Sequence, residues 1–201
     1  MVRRNDQRRA ALVDAAIEVL AREGARGLTF RAVDAEAGVP VGTASNYFSH
    51  RDDLLIQTGG RVYERLQPDP SEFDRLRAVE RDQDRDLYRQ AMYALVDRVG
   101  GFRSGYLALL ELRLEATRRP GLRRLLTEQV RGDLDANVAY HEASRLPGDA
   151  LTVKLLYLAL NWLIVEQLTL PDVLSERERE ELVDAAVERL LGDWPGEAGT
   201  A

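Results

Sequence analysis

Between Thr29 and Arg51 the chain collects side chains that are good at hydrogen bonding and poor at breaking bonds. Val41, Thr43, Ser45, Asn46 and Tyr47 fall on the outer side of a short segment around Gly42, whose inner side carries Ala44 and Phe48. Hydroxyls and a phenol can donate to phosphate oxygens, and a carboxamide can form the paired hydrogen bonds that adenine presents in the major groove. Arg31 and Arg51 flank the segment, and Arg3 and Arg4 belong to a basic cluster at the start of the chain. The chemistry on offer is recognition of a polyanion.

Catalysis finds little support. There is no cysteine, which excludes disulfides and thiolate metal sites. His50 and His141 lie far apart, and neither has a glutamate three positions before it, the pairing by which helical bundles hold metals. No glycine-rich phosphate loop or nucleophile with a base at a suitable spacing occurs. The expectation is therefore a protein that is not an enzyme, with no catalytic residues, metal or cofactor.

Charge narrows the reading further. The net charge is −6, yet residues 1–53 hold eight basic and eight acidic side chains, so the deficit belongs to the remainder. The first quarter of the chain repels phosphate less than the rest does. All basic residues but Lys154 are arginine, so an arginine at a given position carries little weight by itself. The longest apolar run, Leu155 to Val165, is interrupted by Asn161 and is shorter than the ~20 residues a bilayer requires. The N-terminus lacks the apolar stretch of a signal peptide, and a cytoplasmic protein with no membrane partner is expected.

The elements that must position these groups read as helices throughout, because apolar residues recur at 3.6-residue spacing. The fold class is all-α, with about nine or ten helices. A first helix, Asp6 to Glu23, buries Leu12, Val13, Ala16, Ile17 and Leu20, and Gly24 and Gly27 stop it. Thr29 caps a second helix that buries Phe30, Val33 and Ala37 and ends at Gly38; Pro40 then opens a third over 41–48. Ser49 and Asp52 have the spacing of a capping box for a fourth, which runs to about Leu66 through Gly59-Gly60. Those two glycines mark either close packing or a soft point. Further helices are expected at 71–81, opened by Ser71 and Asp74, and at 84–99, 103–118, 121–145 and 149–169. Ser175 with Glu178 opens the last, which Gly192 ends before a disordered tail at 197–201.

Two short helices joined by Gly38-Val39-Pro40 and braced by a longer one form the layout of a helix-turn-helix, with residues 41–48 as the recognition helix. The stretch from Ala10 to Leu55 resembles the DNA-binding domain of the tetracycline-repressor (TetR) family. The match is carried by Ala16-Ile17, Gly24, Gly27, Thr29, Val33, Ala37-Gly38-Val39, Gly42-Thr43, Tyr47-Phe48 and Arg51-Asp52-Asp53-Leu54-Leu55. Two positions depart from the family pattern. Ala44-Ser45 stands where leucine and tyrosine are usual, moving a phosphate contact to Tyr47 or removing it, and Arg51 replaces a lysine.

The resemblance implies a three-helix DNA-binding domain at 1–50 and a ligand-binding and dimerisation domain at 51–201. It implies a homodimer on a near-palindromic operator in double-stranded DNA, acting as a repressor that a small-molecule effector releases. The alternative is a ligand-independent regulator or interaction module without an effector pocket. The helix at 149–169 is apolar on every side, which predicts burial all round. Leu158, Trp162 and Val165 on it, with Leu182, Val183, Ala186, Val187 and Leu190 on the last helix, are the expected dimer interface; the rival reading has both helices covering the monomer core. Tyr88, Met92, Tyr106, Arg113, Asn137 and His141 are the candidate effector contacts, set against ordinary core or surface roles.

Overall fold

A computed structural model of the chain describes residues 2–69, 77, 85–144 and 146–191, with side chains from Asn5 onward. Among these residues there are eight α-helices, one 3₁₀ turn and no strand, as an all-α reading requires. The helices are α1 (Val2–Gly27), α2 (Phe30–Glu36), α3 (Arg51–Leu66), α4 (Arg85–Gly101), α5 (Arg103–Ala116), α6 (Pro120–Ser144), α7 (Ala150–Thr169) and α8 (Glu176–Leu191). The helix expected at 71–81 with its Ser71/Asp74 box, the stop at Gly192 and the tail at 197–201 lie outside the described residues.

The chain divides into two compact units that do not follow a boundary at residue 50. One comprises residues 1–67 and 102–130, the other residues 68–101 and 131–201. In the first, the predicted face of α1 (Leu12, Val13, Ala16, Ile17 and Leu20) is buried, and α5 lies along it together with α2 and α3. Small Ala108, beside Leu109 and Leu112, lets α5 approach, and Leu122 and Leu126 of α6 complete the core. An isolated 50-residue piece would leave that face of α1 exposed, which is why α5 belongs to the same unit.

Caps explain where several helices start. Thr29 Oγ1 accepts from the Ala32 N–H at 3.1 Å to open α2, and Asp149 accepts from the Thr152 N–H at 2.8 Å to open α7. Ser175 and Glu178 form the expected reciprocal box at α8, with Glu178 Oε2 accepting from the Ser175 N–H at 2.8 Å. At α3 the cap differs from expectation. His50, not Ser49, is the N-cap: its Nδ1 accepts from the Asp53 N–H at 3.1 Å, and Asp53 rather than Asp52 reaches back to the Ser49 N–H.

In the second unit, α4, α7 and α8 pack together around Tyr88, Met92, Val96, Leu156, Leu160, Leu163, Ile164, Val183 and Val187. Tyr93 ties α4 to α8, donating to Asp184 Oδ1 at 2.8 Å. α7 is 20 residues long and apolar enough to cross a membrane by length and composition, longer than the apolar run legible in sequence. Its face bearing Leu156, Leu160, Leu163 and Leu168 is nonetheless spent on the core of its own unit.

Candidate nucleic-acid interface

The reading element is a tighter structure than the α-helix expected over 41–48. Pro40 to Thr43 form a turn closed by a hydrogen bond from the Thr43 N–H to the Pro40 carbonyl at 3.1 Å, with Gly42 at φ +92 in its third position. Glycine is what a turn of type II demands there, and that conformation cannot lie inside a right-handed helix. Winding therefore starts only at Thr43 and yields a single 3₁₀ turn, Ala44–Asn46. Ala44 and Phe48 point inward as expected, fully buried against the core of the first unit.

A residue that sequence reasoning missed holds this turn. Asp34 on α2 is 1% exposed, and its two carboxylate oxygens accept from the Gly42 N–H and the Ala44 N–H, each at 2.7 Å. Charge-assisted bonds to backbone amides are the stronger kind, and here the one to Ala44 is buried and the one to Gly42 partly so. The signal was available: Asp34 stands four residues after Phe30, within the 3.6-residue stripe that Phe30, Val33 and Ala37 define.

The other predicted contacts differ in what they present to the outside. Val41, 77% exposed, Ser45 and Asn46 project from the turn, and Thr29 and Arg31 are exposed on or beside α2. Thr43 and Ser45 donate their hydroxyl protons to the carbonyls of Pro40 and Gly42, so towards an outside group each offers an acceptor. Tyr47 is half-buried, with the Arg9 guanidinium 5.8 Å above its ring and 5.5 Å from that of Phe48, while Arg9 also donates to Gln57. Arg51 is turned inward, donating to the carbonyls of Leu28 and Ala25 at the end of α1, so that it braces the head. The side chains of Arg3 and Arg4 lie outside the described residues.

Gly59 and Gly60 differ from each other. α3 runs unbroken through both, and a Cβ on Gly59 would come within 3.2 Å of Leu125 and 3.3 Å of Leu126, whereas one on Gly60 would meet nothing within 4 Å. Close packing thus accounts for the first glycine, and neither a bend nor a contact accounts for the second.

In the second unit the expected interface residues divide. On α7 Leu158 and Trp162 are 63% and 64% exposed, in line with exposed Leu155 and Leu151 one and two turns before Leu158. Burial all round, expected from composition, is thus corrected to burial of one face. Val165, Ala186 and Leu190 are half-buried, and Leu182 is exposed. Val183 and Val187, expected at the interface, are buried against α4 and α7 of the same chain.

Of the candidate effector contacts, Tyr88, Met92 and His141 are buried in the second unit and Tyr106 in the first. Burial, helped by nearby Tyr140, pushes the Tyr88 phenol up to about 12. Arg113 and Asn137 are exposed, and Asn137 donates to the Asp133 carbonyl at 2.9 Å, so neither joins the buried set. Two polar atoms of the second unit, His141 Nε2 and Glu166 Oε2, are buried with no hydrogen-bond partner among the described residues. Glu166 had not been singled out in sequence, where it reads as a lone charge near the end of an apolar helix.

Residues 12–58 match the model for bacterial regulatory proteins of the tetR family, and residues 83–193 match that for the tetracyclin repressor-like C-terminal domain. Among solved structures, the multidrug binding protein EbrR complexed with imidazole is 29% identical, with a TM-score of 0.66 over 95% of this chain and 98% of that one. The same protein complexed with proflavin is 30% identical, with a TM-score of 0.56 over 91% and 99%. A TetR-family member from Streptomyces coelicolor A3 is 28% identical, with a TM-score of 0.67 over 92% and 99%. No curated protein matches the chain.

Proposed function

Because the chain belongs to the TetR family of DNA-binding transcriptional regulators, we propose that it acts in the cytoplasm as a homodimeric repressor whose operator is released by a small aromatic effector. The observation that carries the DNA-binding half is the turn clamped by Asp34, which presents Val41, Ser45 and Asn46 to the outside on a fixed backbone. Asn46 pairs with adenine in the major groove, Val41 packs against a thymine methyl, and Thr29, Arg31 and Tyr47 take phosphates. With its bonds to α1, Arg51 serves the orientation of the head.

The exposed row Leu151, Leu155, Leu158 and Trp162 on α7, extended by Leu182 on α8, supports dimerisation through these helices. A four-helix contact of that kind buries on the order of 2,000 Å² when obligate. Two reading turns related by a two-fold axis then meet successive major grooves, which makes the operator a near-palindrome.

An effector site in the second unit is supported by His141 and Glu166, each with a buried polar atom that has no hydrogen-bond partner among the described residues, and by the aromatic side chain of Tyr88. A carboxylate and an imidazole among apolar groups suit an aromatic ligand with cationic or N–H groups, the class to which EbrR's proflavin belongs. Release requires the ligand to favour the DNA-incompetent conformation by a few kcal/mol.

Selection of bound sequences from a random DNA pool tests the first half, with an inverted repeat as the expected product; no enrichment removes it. Sedimentation at micromolar concentration should give a dimer. Proflavin in a thermal-shift assay should raise the melting temperature of the parent protein and not that of a His141→Leu, Glu166→Leu variant. Equal shifts in both would dismiss this site.

A further inference from the structure

The C-terminal end of α1 is where the reading head begins, and it is not regular helix. Gly24 adopts φ 68 and ψ −178, a conformation that breaks the right-handed winding. Just past the break, the Ala25 N–H donates to Glu111 Oε2 at 2.8 Å, and Glu111 belongs to α5. The same carboxylate lines Gly24: its two oxygens lie 3.3 and 3.5 Å from where a Cβ on that residue would stand. Glycine is thus favoured at position 24 by the backbone angle, and a side chain there would also press on the Glu111 carboxylate.

From that point hydrogen bonds continue to the reading turn within one compact unit. The Ala25 carbonyl accepts from Arg51 and from the Leu28 N–H, and the Leu28 carbonyl accepts from Arg51 Nε at 3.1 Å. Thr29 follows as the cap of α2, and α2 carries Asp34, which grips Gly42 and Ala44. One turn further along α5, Glu115 is bonded to Arg118 and Arg119, the ordinary fate of a carboxylate in an arginine-rich chain. Glu111 instead meets a backbone amide in a different helix, and it does so from outside the matched segment 12–58.

We infer that Glu111 is a positioning residue for DNA binding, holding the α1 break that sets where α2 and the reading turn lie, without itself touching DNA. This rests on the DNA-binding reading above. Removing the carboxylate leaves an amide unmatched and lets the segment 24–29 sample other paths.

The test uses the full-length protein and a duplex from its own selection. Glu111→Ala should weaken operator binding about tenfold, the effect of losing one charge-assisted bond to an amide. The slope of log affinity against log salt should stay at the parent value, because no phosphate contact is lost. Glu111→Gln keeps a carbonyl oxygen in place and should retain most of the affinity. Hydrogen exchange should show the 24–30 peptide opening faster in Glu111→Ala while α7 is unchanged. Parent-like affinity in Glu111→Ala, or a reduced salt slope, overturns the assignment. Should that variant not fold, the parent's Ala25 amide decides, because exchange at the rate of an unprotected amide also overturns it. A parent that selects no DNA defeats the reading above, and the exchange data then still judge the tie to α1.

Discussion

The two compact units differ in how completely their buried polar groups are matched among the described residues. In the first, Asp34 is matched to two backbone amides, Thr58 donates to the Leu54 carbonyl, and Glu115 binds two arginines. In the second, His141 Nε2 and Glu166 Oε2 find no partner among the described residues, and α7 carries a row of exposed leucines ending in Trp162. An unmatched buried polar atom costs about 1–3 kcal/mol, and apolar surface left in water forgoes ~25 cal/mol per Å². A unit that carries both burdens is suited to completion by other molecules, whereas the first closes on itself.

The largest test of the contrast is at α7. Leu158→Glu with Trp162→Glu should convert a dimer to a monomer in sedimentation and lower operator affinity on the order of 100-fold or more, through loss of the second reading turn. A double variant that remains dimeric would put the second unit's exposed row to some other use. Next in size, Asp34→Ala should cost about 2–4 kcal/mol in chemical unfolding, since two amides lose a buried anion, with a drop in operator affinity. Stability within experimental error of the parent would show that the head does not depend on its internal matching.

A smaller effect follows from Glu115. The guanidinium of Arg119, then that of Arg118, holds its carboxyl below the ordinary carboxylate range. A depressed value in the folded state means stabilisation that is present above the unfolded pKa and lost as pH falls through the folded one. Glu115→Gln should therefore melt earlier than the parent near pH 7, and the two curves should converge in acid. A difference that persists there would assign the effect to packing. Smallest of all, Gly60→Ala should stabilise by about 0.5–1 kcal/mol, having open space and a helical backbone. Gly59→Ala should gain less, because Leu125 and Leu126 must give way. Equal gains at both positions would mean that the contact with α6 is loose.

What could be read in the sequence was what periodicity and caps encode. The buried face of α1, the Thr29 cap and the Ser175/Glu178 box follow from local spacing, and they stand as expected. The third helix did not, because Gly42 at φ +92 overrides the pattern of inward Ala44 and Phe48, and a pattern does not report a dihedral angle. Asp34 was hidden by its charge, although it lay in the apolar stripe. Val183 and Val187 were read as facing a partner because a stripe shows that something covers it without showing what, and within this chain α4 and α7 already do. Arg51 shows the same limit for charge: its position suggested a DNA contact, and its nitrogens go to the carbonyls of Ala25 and Leu28.

The clamp on the reading turn grips main chain and ignores side chains. Since Gly42 and Ala44 are held by their amides, the identities at 41 and 46 are uncoupled from the latch that shapes them, whereas Ser45 adds a bond of its own to the Gly42 carbonyl. The turn is in effect a socket: its address can be rewritten by exchanging the protruding residues 41 and 46, while the fitting behind them keeps its form. Retargeting this regulator to a new sequence is then a matter of substitution at those positions, with Asp34 and Gly42 left untouched.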